Sequence, residues 1–144
     1  MERPHEIDGF EDYVERGEVR DSETDPSKAE SMKKRATSKF ENMERLGVDE
    51  ETATDYVENV YEAAKLLVQS FMARDGHRPY SHEAVIAYAV DELEVGMVDA
   101  NRFNRYRKLR NDIAYRGEVA TVKEAEDIRE LFKSLRSELV NGQG

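Results

Sequence analysis

Apolar residues recur at three- and four-residue steps along most of this chain, which is the spacing of amphipathic helices. The longest continuous stripe lies between residues 49 and 74, where further apolar residues widen it. A helix with so broad an apolar face is typical of the centre of a bundle. The stripe itself consists of Val57, Val60, Ala64, Leu67, Val68 and Phe71.

Start and stop signals place one helix before this central one. Asp25-Pro26 predicts its beginning, because Asp is a good N-cap and Pro already has the φ of the first helical position. Gly47 predicts its end, because glycine often follows the last turn of a helix. Asp49 then predicts the start of the central helix, which would stop at Asp75-Gly76.

Three further segments with helical spacing follow the central helix. Ser81 predicts the N-cap of a helix over residues 82–93. Another helix covers about residues 98–117 and ends in a glycine. Thr121-Val122-Lys123-Glu124 is a capping box, which opens a last helix that reaches about Val140.

The pattern divides the chain into an N-terminal segment, a bundle and a tail. Residues 1–24 are acidic, and helical spacing there predicts either a short helix or an arm that orders only on a partner. Residues 25–140 are predicted to form the bundle, and residues 141–144 a frayed tail. No stretch alternates with period two for long enough to predict a strand. The predicted fold is therefore all-α, a four- to five-helix up-and-down bundle.

Length, charge and cysteine content narrow the function. The 144 residues suffice for one domain with a real core. The net charge of −10 argues against diffuse binding to nucleic acid, but it leaves room for a local basic cleft. Without cysteine there is no disulfide, thiol nucleophile or thiolate metal site. The sequence shows no membrane span and no apolar core of a signal peptide, so a cytoplasmic location is expected.

The most informative stretch is the basic segment that ends the second-last helix. It holds a basic patch, in which Arg110 shares a helical stripe with three apolar residues, Phe103, Tyr106 and Ile113. An arginine on a face that should be buried needs a partner or a cleft, because an unpaired buried charge is very costly. Glu62 is a candidate partner. Alternatively, Arg110 extends to the rim of the core. The patch comprises Arg102, Arg105, Arg107, Lys108, Arg110 and Arg116.

The side chains around Arg110 are suited to binding a phosphate. Arginine binds phosphate through two parallel hydrogen bonds, Asn111 can orient an oxygen, and Tyr115 can stack on a base or donate its hydroxyl. No metal or cofactor is predicted, since the histidines lack metal-binding spacing and no glycine loop is present. Arg110 and Tyr115 lie about 140° apart on a helix, so two copies facing each other across a two-fold axis would line one cleft.

The stretch Leu109-Arg110-Asn111-Asp112-Ile113-Ala114-Tyr115-Arg116-Gly117 resembles the motif of the HEPN superfamily (higher eukaryotes and prokaryotes nucleotide-binding). That motif is an arginine, usually followed by a polar residue, with a histidine four to six positions after the arginine. Residues 61–67 resemble the family's central helix, and residues 81–84 its loop-to-helix segment. The resemblance covers roughly residues 26–140.

The resemblance implies a small helical bundle that usually dimerises. Many HEPN members are metal-independent RNases, often toxins of toxin–antitoxin pairs, and a frequent antitoxin is a minimal nucleotidyltransferase. By this resemblance Arg110 would hold the scissile phosphate and Asn111 would support it. Tyr115 stands where the family has histidine, and tyrosine is a poor base near neutral pH, with an ordinary pKa of about 10. Further residues of the cleft would be Arg107, Asp112, Arg116 and Glu62.

Three functional hypotheses follow from these residues. The first is a homodimeric HEPN RNase toxin that a partner neutralises. The second is a catalytically inactive HEPN module that binds nucleotide, RNA or a partner protein through the same cleft. The third is an acidic helical interaction domain in which Arg110 has only a structural role.

Overall fold

The structure is a computed structural model that describes residues 2–141. Over this range the chain forms six α-helices and a two-stranded antiparallel ribbon, so the predicted all-α helical bundle is confirmed. Among these helices none combines the length and hydrophobicity needed to span a bilayer. The elements are α1 (Phe10–Glu15), β1 (Val19–Asp21), α2 (Pro26–Leu46), α3 (Ala53–Asp75), β2 (His77–Pro79), α4 (His82–Asp91), α5 (Met97–Arg116) and α6 (Val122–Arg136).

Most helix ends follow the local signals of the sequence. The Asp25 carboxylate accepts a hydrogen bond from the Lys28 N–H at 2.9 Å and starts α2. Ser81 caps α4 in the same way through the Ala84 N–H at 3.2 Å. The predicted capping box of α6 is present between Thr121 and Glu124.

The start of α3 and the end of α6 differ from the prediction. The Asp49 carboxylate accepts hydrogen bonds from the N–H groups of Glu51 and Thr52 at 2.8 and 2.9 Å, so it stabilises a turn, and α3 begins only at Ala53. After α6 the chain continues as a π-helical turn, Ser137–Asn141. Residues 142–144 of the predicted tail lie outside the described range.

The ribbon was not predicted. Val19 pairs with Pro79, Arg20 with Arg78 and Asp21 with His77. Each strand has three residues, too few for a period-two pattern to be visible in the sequence. The ribbon joins the N-terminal segment to the loop between α3 and α4.

Helix α3 is the centre of the core, and it packs against α2, α4, α5 and α6. Aromatic rings of α2 and α6 stack on one side of it, with the centroids of Phe40 and Phe132 4.4 Å apart. The N-terminal segment buries Ile7, Phe10 and Tyr13 against the bundle. Two polar residues of α3, Glu62 and Lys65, stay partly exposed on the side of the helix that contacts α4 and α5.

Candidate functional site

Arg110 lies on α5 at the edge of the core, facing α3. Its stripe neighbours Phe103 and Tyr106 are fully buried, whereas the Arg110 side chain keeps 27 % of its exposure. The Arg110 Nε lies 3.5 Å from the Oε1 of Glu62, the partner that the sequence suggested. That carboxylate oxygen is shielded from solvent and accepts no hydrogen bond of good geometry from the described residues. Arg110 is therefore held at the rim of the core by one long ion pair.

Glu62 links Arg110 to a second set of polar groups. Its Oε2 lies 3.0 Å from the Lys65 Nζ, and Lys65 Nζ lies 3.2 Å from the Nε2 of His82. The other ring nitrogen of His82 lies 3.1 Å from the hydroxyl oxygen of Tyr61. The Arg110 cluster, defined here as Tyr61, Glu62, Lys65, His82 and Arg110, thus connects α3, α4 and α5.

Helix geometry explains why these side chains meet. Glu62 and Lys65 are three residues apart on α3, and Tyr61 and Lys65 are four apart, so the three share one side of the helix. His82 is the first residue of α4, directly after its N-cap Ser81. The left-handed Gly76 ends α3, and β2 then returns the chain so that α4 starts beside α3.

The contacts of His82 assign its protonation state. An ammonium only donates hydrogen bonds, so Lys65 Nζ donates to Nε2, and the Nδ1–H of His82 donates to the Tyr61 oxygen. The pKa of His82 is lowered, first because the ring is partly buried and second because the Lys65 ammonium repels a further positive charge. His82 is therefore a neutral imidazole near pH 7, which is the form that accepts a proton.

Tyr61 contributes a hydroxyl that stays protonated. Burial, more than the charge of Glu62, raises its pKa above the ordinary value. Its oxygen fixes the orientation of the His82 ring, and its own ring packs edge-on against Phe103 with centroids 5.8 Å apart. Tyr61 therefore acts on His82 as a positioning residue.

Arg107, a predicted binding residue, is less accessible than Arg110. Its side chain is buried, and its Nε donates a hydrogen bond to the Asn104 Oδ1 at 3.0 Å. The terminal nitrogens lie 3.7 Å from Glu83 and 3.8 Å from Glu6. These carboxylates come from α4 and the N-terminal segment, so Arg107 holds α5 against both.

The other predicted site residues lie further along α5 and are separate from the Arg110 cluster. Tyr115 is 81 % exposed, and Arg116 forms an ion pair with Asp112, with 3.7 Å between Nε and Oδ1. In the part of the chain described, neither a hydrogen bond nor an ion pair joins Asn111, Asp112, Tyr115 or Arg116 to Arg110. One copy of the chain therefore does not bring Tyr115 to Arg110.

Every cation of the basic patch has a carboxylate partner within 4 Å. Arg102 and Arg105 face Asp127 on α6, and Lys108 faces Glu6. Together with the ion pairs of Arg107, Arg110 and Arg116, these contacts neutralise the patch. The patch that stands out in the sequence is thus much less positive in the folded protein.

Sequence reasoning missed His82, Lys65 and Tyr61. It considered His82 as a metal ligand and as part of the loop-to-helix segment 81–84, but gave it no role in proton transfer. Among residues 2–141 no group of His, Asp and Glu is arranged to hold a metal ion. The available signal was local, since Glu62 and Lys65 interrupt the most apolar helix one turn apart.

Comparisons with protein-family models, curated proteins and solved structures find no match. The Arg110 cluster brings a guanidinium, an ammonium and a neutral imidazole to one junction of three helices.

Proposed function

We propose that this protein is a HEPN-type RNase that binds an RNA phosphate at the Arg110 cluster and cleaves the backbone without a metal ion. The observation that supports this is the chain of contacts from Arg110 through Glu62 and Lys65 to His82. It combines two cations for a phosphate with a neutral imidazole for proton transfer. The motif around Arg110 in the sequence agrees with the same chemistry.

The proposed reaction uses the 2′-hydroxyl of the RNA as its nucleophile. His82 Nε2 takes the proton of that hydroxyl, the 2′-oxygen forms a bond to phosphorus, and the bond from phosphorus to the 5′-oxygen breaks. The Lys65 ammonium donates a proton to the leaving 5′-oxygen. The products are a 2′,3′-cyclic phosphate and a free 5′-hydroxyl. Arg110 stabilises the negative charge that develops on the phosphate oxygens.

The proposed partners follow from the resemblance and from the exposed end of α5. We infer a homodimer in which the α5 helices face each other, so that Tyr115 of a second copy approaches Arg110. In a toxin–antitoxin pair, the expected antitoxin is a minimal nucleotidyltransferase. The exposed Tyr115 is the group through which such a partner would block or modify the cleft.

A second candidate function is a module that binds RNA or nucleotide without cleaving it. The contacts in the absence of ligand favour it, because Lys65 donates a hydrogen bond to the Nε2 of His82 and Glu62 forms an ion pair with Arg110. Tyr115, at the motif position of histidine, does not reach Arg110 in the same chain. Cleavage requires that a phosphate draw Lys65 away from His82, whereas binding alone does not.

The test is RNA cleavage in the presence of a chelator, on single-stranded and folded RNA. Arg110→Ala is expected to lower the rate at least 100-fold, and His82→Gln by about 10²–10⁴-fold, because each removes a group that acts in the transition state. Arg105→Ala, on the exposed face of the same helix, is the matched control and should cleave like the parent.

Each alternative has its own result. Binding that Arg110→Ala abolishes, without cleavage by the parent, would select the binding module. Loss of cleavage in Tyr115→Phe but not in His82→Gln would make the Tyr115 hydroxyl the reacting group. If the parent neither binds nor cleaves any RNA, the proposed function is rejected.

A further inference from the structure

Helix α2 carries an open groove of about 800 Å³ along its border with α3. Three cations line it, Lys34, Arg35 and Lys39, together with the hydroxyl groups of Ser31 and Ser38. Leu66 of α3 forms its apolar side. The groove belongs to neither the basic patch nor the Arg110 cluster.

The three cations of the α2 groove differ from the basic patch in having no neutralising partner. Between residues 2 and 141, no carboxylate lies within 4 Å of Lys34, Arg35 or Lys39. The one acidic residue of the groove, Glu30, lies 3.8 Å from Lys33. In a chain with 32 acidic and 22 basic residues, three adjacent unpaired cations form a local positive field that attracts anions.

The α2 groove has the shape for an extended polyanion. Its lining extends from Ser27 to Asn42 on one helix, a length of about 22 Å at 1.5 Å per residue. Along this line Ser31 is followed by Lys34 and Arg35, and Ser38 by Lys39, and both kinds of side chain contact phosphate and sugar oxygens in nucleic-acid complexes. No aromatic ring lines the groove, so it has no platform for stacking bases. The lining is therefore suited to contacts with the phosphate–sugar backbone and offers no ring that would stack on particular bases.

The α2 groove also leads to the Arg110 cluster. Leu66 follows Lys65 directly and lies four residues after Glu62 on α3. Residues four apart on a helix have Cβ atoms about 6 Å apart. The apolar side of the groove is thus one helical turn from the carboxylate that pairs with Arg110.

We propose that the α2 groove holds the backbone of a single-stranded RNA whose reactive phosphate lies at the Arg110 cluster. This proposal rests on the proposed function and adds the path of the strand. Lys34, Arg35 and Lys39 contact successive phosphates, and Ser31 and Ser38 donate hydrogen bonds to phosphate or sugar oxygens. Binding through the groove is sequence-independent and weakens with salt.

The test compares a long and a short strand on a triple variant, Lys34→Ala/Arg35→Ala/Lys39→Ala. The probes are a fluorescent 12-nucleotide 2′-O-methyl RNA and a trinucleotide of the same kind, since 2′-O-methyl groups prevent cleavage. Alanine favours helix at these positions, and circular dichroism checks that α2 persists. The matched control, Arg105→Ala/Lys123→Ala/Lys133→Ala, removes the same charge from α5 and α6.

The groove variant should bind the 12-mer about 10- to 100-fold more weakly than the parent, and bind the trinucleotide unchanged. The slope of log K against log salt should fall by about 2, since each lost phosphate contact contributes about 0.7. Equal losses in groove and control variants would overturn the proposal, because net charge would then explain them. A 12-mer whose binding depends on Arg110 but not on the groove would also overturn it, and would leave the proposed function intact. Tighter binding of oligoglutamate than of RNA would overturn the proposal and show that the α2 groove binds an acidic peptide.

Discussion

Glu62→Gln is predicted to make the protein bind RNA more tightly while making it less stable. In the resting protein the Glu62 carboxylate lies 3.5 Å from Arg110 and 3.0 Å from Lys65. On the proposed function, an RNA phosphate competes with that carboxylate for both cations, and the two anions also repel each other. Glutamine has the same shape without the charge, so the substitution removes the competition and keeps the packing.

The size of the effect follows from the burial of the ion pairs. Glu62 and Arg110 keep 31 % and 27 % of their side-chain exposure, so solvent screens much of their attraction. Exposed ion pairs contribute about 0.2–1 kcal/mol, and these partly buried ones should lie near the upper end. Releasing two such contacts should strengthen RNA binding by about 1–2 kcal/mol, which is roughly a five- to thirtyfold lower Kd. Unfolding should become easier by a similar amount, because two cations lose their counter-charge.

The assay measures the Kd of the 12-nucleotide 2′-O-methyl RNA by fluorescence anisotropy and the free energy of unfolding by urea. Glu58→Gln is the control, because Glu58 lies one turn earlier on α3 and forms no ion pair in the described chain. Its Kd should change less than twofold. If Glu62→Gln loses stability but binds RNA no more tightly than the parent, Glu62 does not compete with a phosphate and the cluster is not an RNA site.

Three further predictions concern stability. Gly76→Ala should lower the free energy of unfolding in urea by about 2–3 kcal/mol, because Gly76 has φ +85° and a Cβ there would lie 2.9 Å from a backbone oxygen. Gly117→Ala should lower it by only about 1 kcal/mol, because Gly117 has φ +69° but open space around it. Equal losses for the two variants would contradict this reasoning. Asp91→Ala should lower the free energy of unfolding by about 1–3 kcal/mol and speed hydrogen exchange in residues 7–21, because the Asp91 carboxylate accepts a hydrogen bond from the Phe10 N–H at 2.8 Å. Unchanged exchange would show that other contacts hold the N-terminal segment. The pKa of His82 is lowered from 6.5, so the folded state favours the neutral imidazole, and the free energy of unfolding should fall as the pH drops below 6.5. His82→Gln should make that fall smaller. Identical pH profiles for the parent and the variant would contradict a lowered pKa of His82.

The helices were predictable because their end signals are local. Asp25, Ser81 and Thr121 cap helices through side chains that bond to backbone groups three residues later. The ribbon was not predictable, because its two strands are too short to show alternation and begin 58 residues apart in the sequence, at Val19 and His77. The predicted helix start at Asp49 was wrong because aspartate stabilises turns as well as helix ends.

The site was predictable only in part. A lone arginine on an apolar stripe implied a partner, and Glu62 is that partner. The link to His82 depends on how the loop after Gly76 turns α4 back against α3, and no periodicity encodes that angle. Arg107 lies one turn from Arg110, but Glu6 of the N-terminal segment covers it, a contact across about a hundred residues of sequence.

The distribution of ion pairs, more than the count of basic residues, decides where an anion can bind on this protein. The sequence draws attention to the basic patch of α5, yet each of its cations faces a carboxylate, from α3, α4, α6, the N-terminal segment or, for Arg116, α5 itself. Arg110 differs from the others because its carboxylate partner, Glu62, also contacts Lys65, which lies 3.2 Å from the neutral imidazole of His82. The cations of the α2 groove differ because, within residues 2–141, none has a carboxylate within 4 Å. On the proposal made above, an acidic protein repels nucleic acid over most of its surface and still binds one strand along the α2 groove, where three neighbouring cations attract it.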